Sequence, residues 1–218
     1  MAKHNKLDGE TAEAAKPSSV IPSLKPGEAD SVLKLLLAAH PELCAEAEDL
    51  AQSVLGEVSF ESVAEDVACA LQLLDMDDLN DRAGSHWGEY TEPTEAAWEL
   101  MEEEIEPHLE DIIRYRALGL DGKALEIAKG VVLGLYSLRD ESDNDVLGWS
   151  PDFLPEGASE AVVVWYTGSR YRDSGNKSTP CGLPFPKDFV EQFVPEWASM
   201  IERTIAQAAR RSDQGRQP

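Results

Sequence analysis

Residues 93–117 read Pro93-Thr94-Glu95-Ala96-Ala97-Trp98-Glu99-Leu100-Met101-Glu102-Glu103-Glu104-Ile105-Glu106-Pro107-His108-Leu109-Glu110-Asp111-Ile112-Ile113-Arg114-Tyr115-Arg116-Ala117. At about 100° per residue, Trp98, Met101, Ile105, Leu109 and Ile112 fall within one narrow arc, which predicts a long helix with a core-facing stripe. Glu95, Glu99, Glu102, Glu106 and Glu110 keep the same rhythm on another face. Pro107 lies inside the pattern and is expected to kink or split the helix, because it removes a backbone donor and crowds the preceding turn. Gly119 supplies a C-terminal stop.

Working outward from this helix, the same periodicity recurs on both sides. Upstream, Asp30 is a candidate N-cap for a helix over Ser31–Ala39, Pro41–Leu55 follows, and Gly56 can end it. Ser59 caps a further predicted helix, Phe60–Leu74, with Val63, Val67, Ala70, Leu71 and Leu74 on one stripe. The polar stretch Asp75–Thr94 is expected to contain a short helical turn around Asp78–Arg82. Downstream, Asp121 can cap Gly122–Leu138, where Gly130 and Gly134 read as a close helix contact and not as a phosphate loop.

Residues 140–157 read as a long connection containing Gly148, Pro151, Pro155 and Gly157. Val162–Tyr166 favours a strand by propensity. No second convincing strand exists to satisfy its backbone groups, so Glu156–Thr167 is predicted helical. Residues 168–186 read as a Gly/Ser/Pro loop, and Lys187–Arg210 as a terminal amphipathic helix with Phe189, Phe193, Trp197 and Ile201.

The fold class that follows is all-α: a single-domain helical bundle, or a short α-solenoid-like stack of helical hairpins, with long loops in the C-terminal half. Ala64-x-x-Val67-Ala68, recurring as Ala124-x-x-Ile127-Ala128, suggests the stacked version. Residues 1–27 and 211–218 are expected to be flexible tails. The helical domain spans 28–210, with acidic helices over 28–117 and a second half over 118–210. No sheet of three or more strands is expected.

Charge is the other informative feature. The 218 residues hold 42 Asp+Glu against 19 Lys+Arg, for a net charge of -23. Between 28 and 111 there are 24 acids and two bases, Lys34 and Arg82, so nearly all the excess lies there. Such a chain is not expected to bind nucleic-acid phosphate or an anionic membrane directly. It has no apolar run near the roughly 20 residues of a spanning helix. The N-terminus lacks a signal-peptide core, and Cys44, Cys69 and Cys181 are odd in number and widely separated. These features suggest a cytoplasmic location with reduced thiols; Cys44 and Cys69 are expected to be buried and Cys181 exposed in a loop.

No motif fixes a reaction, and no cofactor signature is present. The Asp-rich stretches 75–80 and 141–146 fail the calcium-loop pattern at required positions, which leaves solvated turn acids. Glu103, Glu106, His108 and Glu110 are nominal ligands for a small helical metal-dependent hydrolase. The three-residue Glu–His spacing of helical di-metal sites is broken by Ile105, however. Two aromatic loops stand out, Gly84–Tyr90 and Gly148–Phe153, carrying Trp87, Tyr90, Trp149 and Phe153. Trp and Tyr are favoured anchors at interfaces. The expectation is therefore a non-enzymatic adaptor or interaction protein. Glu95, Glu99, Glu102, Glu106 and Glu110 would attract a basic protein, and Trp87, Tyr90, Trp149 and Phe153 would anchor it. A purely structural subunit, acidic only for solubility, is the plain alternative.

Overall fold

The computed structural model describes residues 20–86, 89–140, 145–170 and 184–214. The chain divides at Gly56 into two compact units. Gly56 has φ 68°, a left-handed conformation that suits glycine after a helix.

The N-terminal unit holds a 3₁₀ turn at Ile21–Ser23, α1 over Pro26–Ala39, a second 3₁₀ turn at Pro41–Leu43 and α2 over Cys44–Val54. Helix α1 starts four residues before the expected cap. Pro26 occupies the first helical position, where a missing N–H costs nothing. The Lys25 backbone N–H donates to Glu28 Oε2 at 3.0 Å, and Asp30 pairs with Lys34 at 2.7 Å instead of capping. None of the described residues of α1 or α2 is buried, so Cys44 is exposed rather than buried as expected.

The second unit contains α3 (Phe60–Leu73), α4 (Met76–Arg82), the strands β1 (Gly84–His86) and β2 (Glu89–Thr91), α5 (Pro93–Ala117), α6 (Asp121–Ser137), α7 (Asp145–Trp149), α8 (Phe153–Thr167), α9 (Lys187–Phe193), a 3₁₀ turn at Pro195–Trp197, and α10 (Ala198–Gln214). That makes ten α-helices among the described residues of the chain. The fold is all-α, and β1 and β2 form one antiparallel pair, with Gly84 opposite Thr91 and His86 opposite Glu89.

Helix α6 is the centre of this unit. It is apolar nearly all round, and it packs against α3, α5 and α8, while α10 covers another part of α8. The α3–α6 contact is closest at the two glycines. A Cβ on Gly130 would lie 2.9 Å from the Phe60 carbonyl oxygen, and one on Gly134 would lie 2.8 Å from that of Ala64. The two Ala-x-x-β-branched-Ala segments thus belong to helices that pack against each other. Phe60 packs edge-to-face on both Phe189 and Phe193, and Lys129 lies 4.1 Å over the Phe60 ring.

Helix α5 has the expected bounds and runs through Pro107 as one element. Pro107 and Glu103 are both on the exposed side, so the carbonyl left without its helical donor faces water. Met101, Ile105, Leu109 and Ile112 are buried to within 1% of full burial.

Three further expectations are corrected. Cys69 is exposed because it lies about 200° around α3 from Val67, opposite the buried Ala64–Val67–Leu71 line. The terminal helix is interrupted: α9 ends at Phe193, Pro195 starts a 3₁₀ turn, and α10 begins at Ala198. The connection before α8 is shorter than expected, since α7 occupies part of it and Pro155 sits in the first turn of α8. The helix over Val162–Tyr166 is as expected. Ala161 to Trp165 are all buried, a run that a half-exposed strand cannot accommodate. Cys181 lies outside the described residues.

Candidate acidic recess on helix α5

The acidic face of α5 is not uniform, because neighbouring elements take up part of it. Helix α4 is fixed by its N-cap: the Asp75 carboxylate accepts from the backbone N–H groups of Asp77 at 2.8 Å and Asp78 at 3.0 Å. Asp78 accepts from the Asp75 N–H in return at 3.1 Å. The acids of 75–78 therefore serve as a helix cap. This places Arg82, in the last turn of α4, against α5, where its guanidinium lies 2.8 Å from Glu103 and 3.9 Å from Glu99. The hydrogen bond to Glu103 raises the Arg82 pKa above its already high ordinary value.

Further along, Glu106 is ion-paired with Arg170, whose side chain is 14% exposed and which also lies 3.8 Å from Glu160. Glu106 is thus an internal anchor for the segment after α8, not part of an outward-facing stripe. Glu110 is exposed nearer the C-terminal end of α5.

Three acids of the stripe converge, one of them, Glu99, being also 3.9 Å from Arg82. Glu95, Glu99 and Glu102, together with Thr94, Trp98 and Ser150, line an open recess of about 470 Å³. Its residues include no base. The Ser150 hydroxyl donates to the Thr94 carbonyl at 2.7 Å, which pins the α7–α8 junction to the start of α5. The Trp98 ring packs edge-to-face on Phe153 at 5.1 Å and 83°, and so forms part of the recess wall while resting on the core.

The aromatic expectations divide accordingly. Trp149, immediately before Ser150, is 44% exposed, and Tyr90 on β2 is 60% exposed. Phe153 is corrected: at 1% exposure it is a core residue of α8 and offers no surface to a partner. Trp87 lies outside the described residues.

The four nominal metal ligands are not brought to one centre. Glu103 faces Arg82 and Glu106 faces Arg170. His108 is partly buried, and burial lowers its pKa against the opposing pull of Asp66 and Asp111. Among the described residues no group of three or more His, Cys, Asp or Glu side chains is placed to hold a metal ion.

Chemically, three carboxylates one turn apart and a partly open indole suit a Lys or Arg side chain. The carboxylates can hydrogen-bond its N–H groups, and the Trp98 face can accept a cation–π contact. Trp98, read from sequence only as a core residue, was missed as a recess wall; its position at the edge of the apolar arc beside Glu95 and Glu102 was the available signal. Nothing in the sequence pointed to Ser150. Among the described residues no helix is long and apolar enough to cross a membrane. Comparison of the chain with protein-family models, with curated proteins and with solved structures gives no match.

Proposed function

We propose that this chain is a non-enzymatic binding protein that engages a basic protein partner through the α5 recess. The observation that carries the reading is the composition of that recess: Glu95, Glu99 and Glu102 around the Trp98 ring, with no base among the lining residues. Partner Lys or Arg side chains would enter it, and the exposed rings of Trp149 and Tyr90 would offer further contacts. The surrounding excess of acid would steer encounter, an effect that weakens as salt shortens the screening length from about 30 Å at 0.01 M to about 8 Å at 0.15 M.

The test uses the full chain and an unstructured Lys/Arg-rich peptide as probe. Glu95→Gln/Glu99→Gln/Glu102→Gln should slow association by about tenfold or more at low salt and flatten its salt dependence, since steering acts on the on-rate. Trp149→Ala should act mainly on dissociation, because a ring buried at the contact holds the complex after it forms. Glu106 is left intact, since changing it would break the Arg170 pair. Unchanged association of the triple variant would refute the proposal.

A further inference from the structure

We infer that the α1–α2 segment is a second and separate interaction surface, and that its partner is a basic amphipathic helix.

The segment exposes apolar surface well beyond the scattered single residues normal for a protein exterior. Of the twelve large hydrophobic side chains exposed in the described residues, eight lie between Val20 and Val54. On α1, Val32, Leu33 and Leu36 share one arc of about 100° and are 45%, 49% and 45% exposed. On α2, Leu50 and Val54 share an arc and are 60% and 86% exposed. Neither helix has a buried residue. Two short helices with no core lack the burial that normally holds a helix in water, so their stripes call for a covering surface.

The charges bordering the stripes select what covers them. Glu28 lies one turn before Val32, and Asp30, which is paired with Lys34, lies one turn before Leu33, so the α1 stripe has an acid on each margin. Glu46 lies one turn before Leu50 and Glu48 one turn before Ala51, which repeats the arrangement on α2. Residues 26–56 hold six acids, Glu28, Asp30, Glu42, Glu46, Glu48 and Asp49, against one base, Lys34. A second copy of the chain would set acid against acid along both margins. An anionic membrane would be repelled by the same fringe. A helix with Leu-type residues on one face and Lys or Arg along its edges would bury the stripe and pair the margins, as in helix-in-groove and coiled-coil recognition.

The inference does not rest on the α5 recess, and one set of variants separates the two. The probe is a fluorescently labelled helical peptide of Leu and Lys, titrated by anisotropy against the full chain. Leu33→Ala/Leu36→Ala, which keeps good helix formers, should weaken binding by about tenfold or more. Leu33→Asp/Leu36→Asp adds two negative charges yet should weaken it further, whereas a contact made by charge alone would tighten. The titrations are repeated in the Glu95→Gln/Glu99→Gln/Glu102→Gln background, where the α5 recess is weakened for Lys, and the fold loss caused by the Leu variants should be the same there as in wild type. The inference is overturned if neither Leu variant loses affinity, or if a Leu/Glu helix binds as well as the Leu/Lys one. It is also overturned if the full chain self-associates, or is retained on anionic vesicles, in a manner that Leu33→Asp/Leu36→Asp abolishes.

Discussion

Replacing Gly134 with alanine puts a methyl carbon into the α3–α6 contact, 2.8 Å from the Ala64 carbonyl oxygen and 2.9 Å from Val67 Cβ. Ordinary contacts at these atoms are about 3.3–4.0 Å, so the shortfall is about 0.5–1 Å. Neither obstructing atom can rotate away, since one is backbone and the other is the first carbon of a β-branched side chain. The helices must part, which thins the packing around Val67 and Leu71, both fully buried. Overpacking of this kind costs about 1–3 kcal/mol, and a backbone obstacle places Gly134→Ala toward the upper end. The better helix propensity of alanine returns about 1 kcal/mol. The net expectation is a loss of about 1–2 kcal/mol, or roughly 2–8 °C in Tm for a chain of this size. Gly122 is the internal control. It lies in the first turn of the same helix, and a Cβ there meets nothing within 4 Å. Gly122→Ala should therefore stabilise by about 0.4–1 kcal/mol. Urea midpoints of the two variants against the parent give the signs directly. If Gly134→Ala stabilises as Gly122→Ala does, the close α3–α6 packing is wrong.

Ile105 is 1% exposed on the inner face of α5, so Ile105→Ala should leave a cavity and cost about 2–4 kcal/mol; an unchanged urea midpoint would mean the helix face is misassigned. Glu106→Gln removes the main partner of Arg170. Breaking a buried pair costs about 3–5 kcal/mol, and with Glu106 36% exposed and Glu160 remaining nearby, about 1–2 kcal/mol is expected, against about zero for Glu95→Gln. Burial lowers the His108 pKa from 6.5, so between its folded value and 6.5 the unfolded chain binds more protons. The contribution of the neutral ring to stability is present above that window and is lost as pH falls through the folded value. The stability of wild type relative to His108→Gln should therefore decline below about pH 6.5, and parallel pH profiles would contradict the burial of the ring.

Where local chemistry and burial agreed, the sequence could be read closely. Helix α5 carries its own start in Pro93, its stripe from Trp98 to Ile112 and its stop in Gly119, and its bounds are as expected. The Gly130/Gly134 contact was likewise legible, because small residues four apart inside a helix have few other uses. The misreadings arose where one residue type has two structural meanings. Pro26, expected in the tail, and Pro155, expected in the long connection, sit in first turns, where the missing N–H has no helical partner to lose. Reading Pro155 as loop made Phe153 seem exposed, when it begins a buried helix. Pro195 does break its helix, and the apolar rhythm from Phe189 to Ile201 concealed this.

The acidic stripe shows a different limit. Spacing places Glu95, Glu99, Glu102 and Glu106 on one face, but which acids are neutralised depends on Arg82 and Arg170, which tertiary packing delivers from 17 residues before Glu99 and 64 after Glu106. No local pattern contains that information. Arg170 takes up Glu106 and Arg82 lies against Glu103 and Glu99, while Glu95, Glu99 and Glu102 line the recess beside Trp98.

The chain has five tryptophans, so the indole N–H region of a nitrogen–proton correlation spectrum reports on few and separable positions. Trp165 is 1% exposed in the core, and Trp197 packs on Tyr136 at 5.1 Å, whereas Trp98 lines the recess and exposed Trp149 directly precedes its lining residue Ser150. On titration with the Lys/Arg-rich peptide at low salt, the indole signals of Trp98 and Trp149 are expected to shift together. Those of Trp165 and Trp197 should stay in place, and the shifts should vanish in Glu95→Gln/Glu99→Gln/Glu102→Gln. Binding that leaves Trp98 and Trp149 unmoved, or that shifts them equally in the triple variant, would contradict the recess as the site of contact.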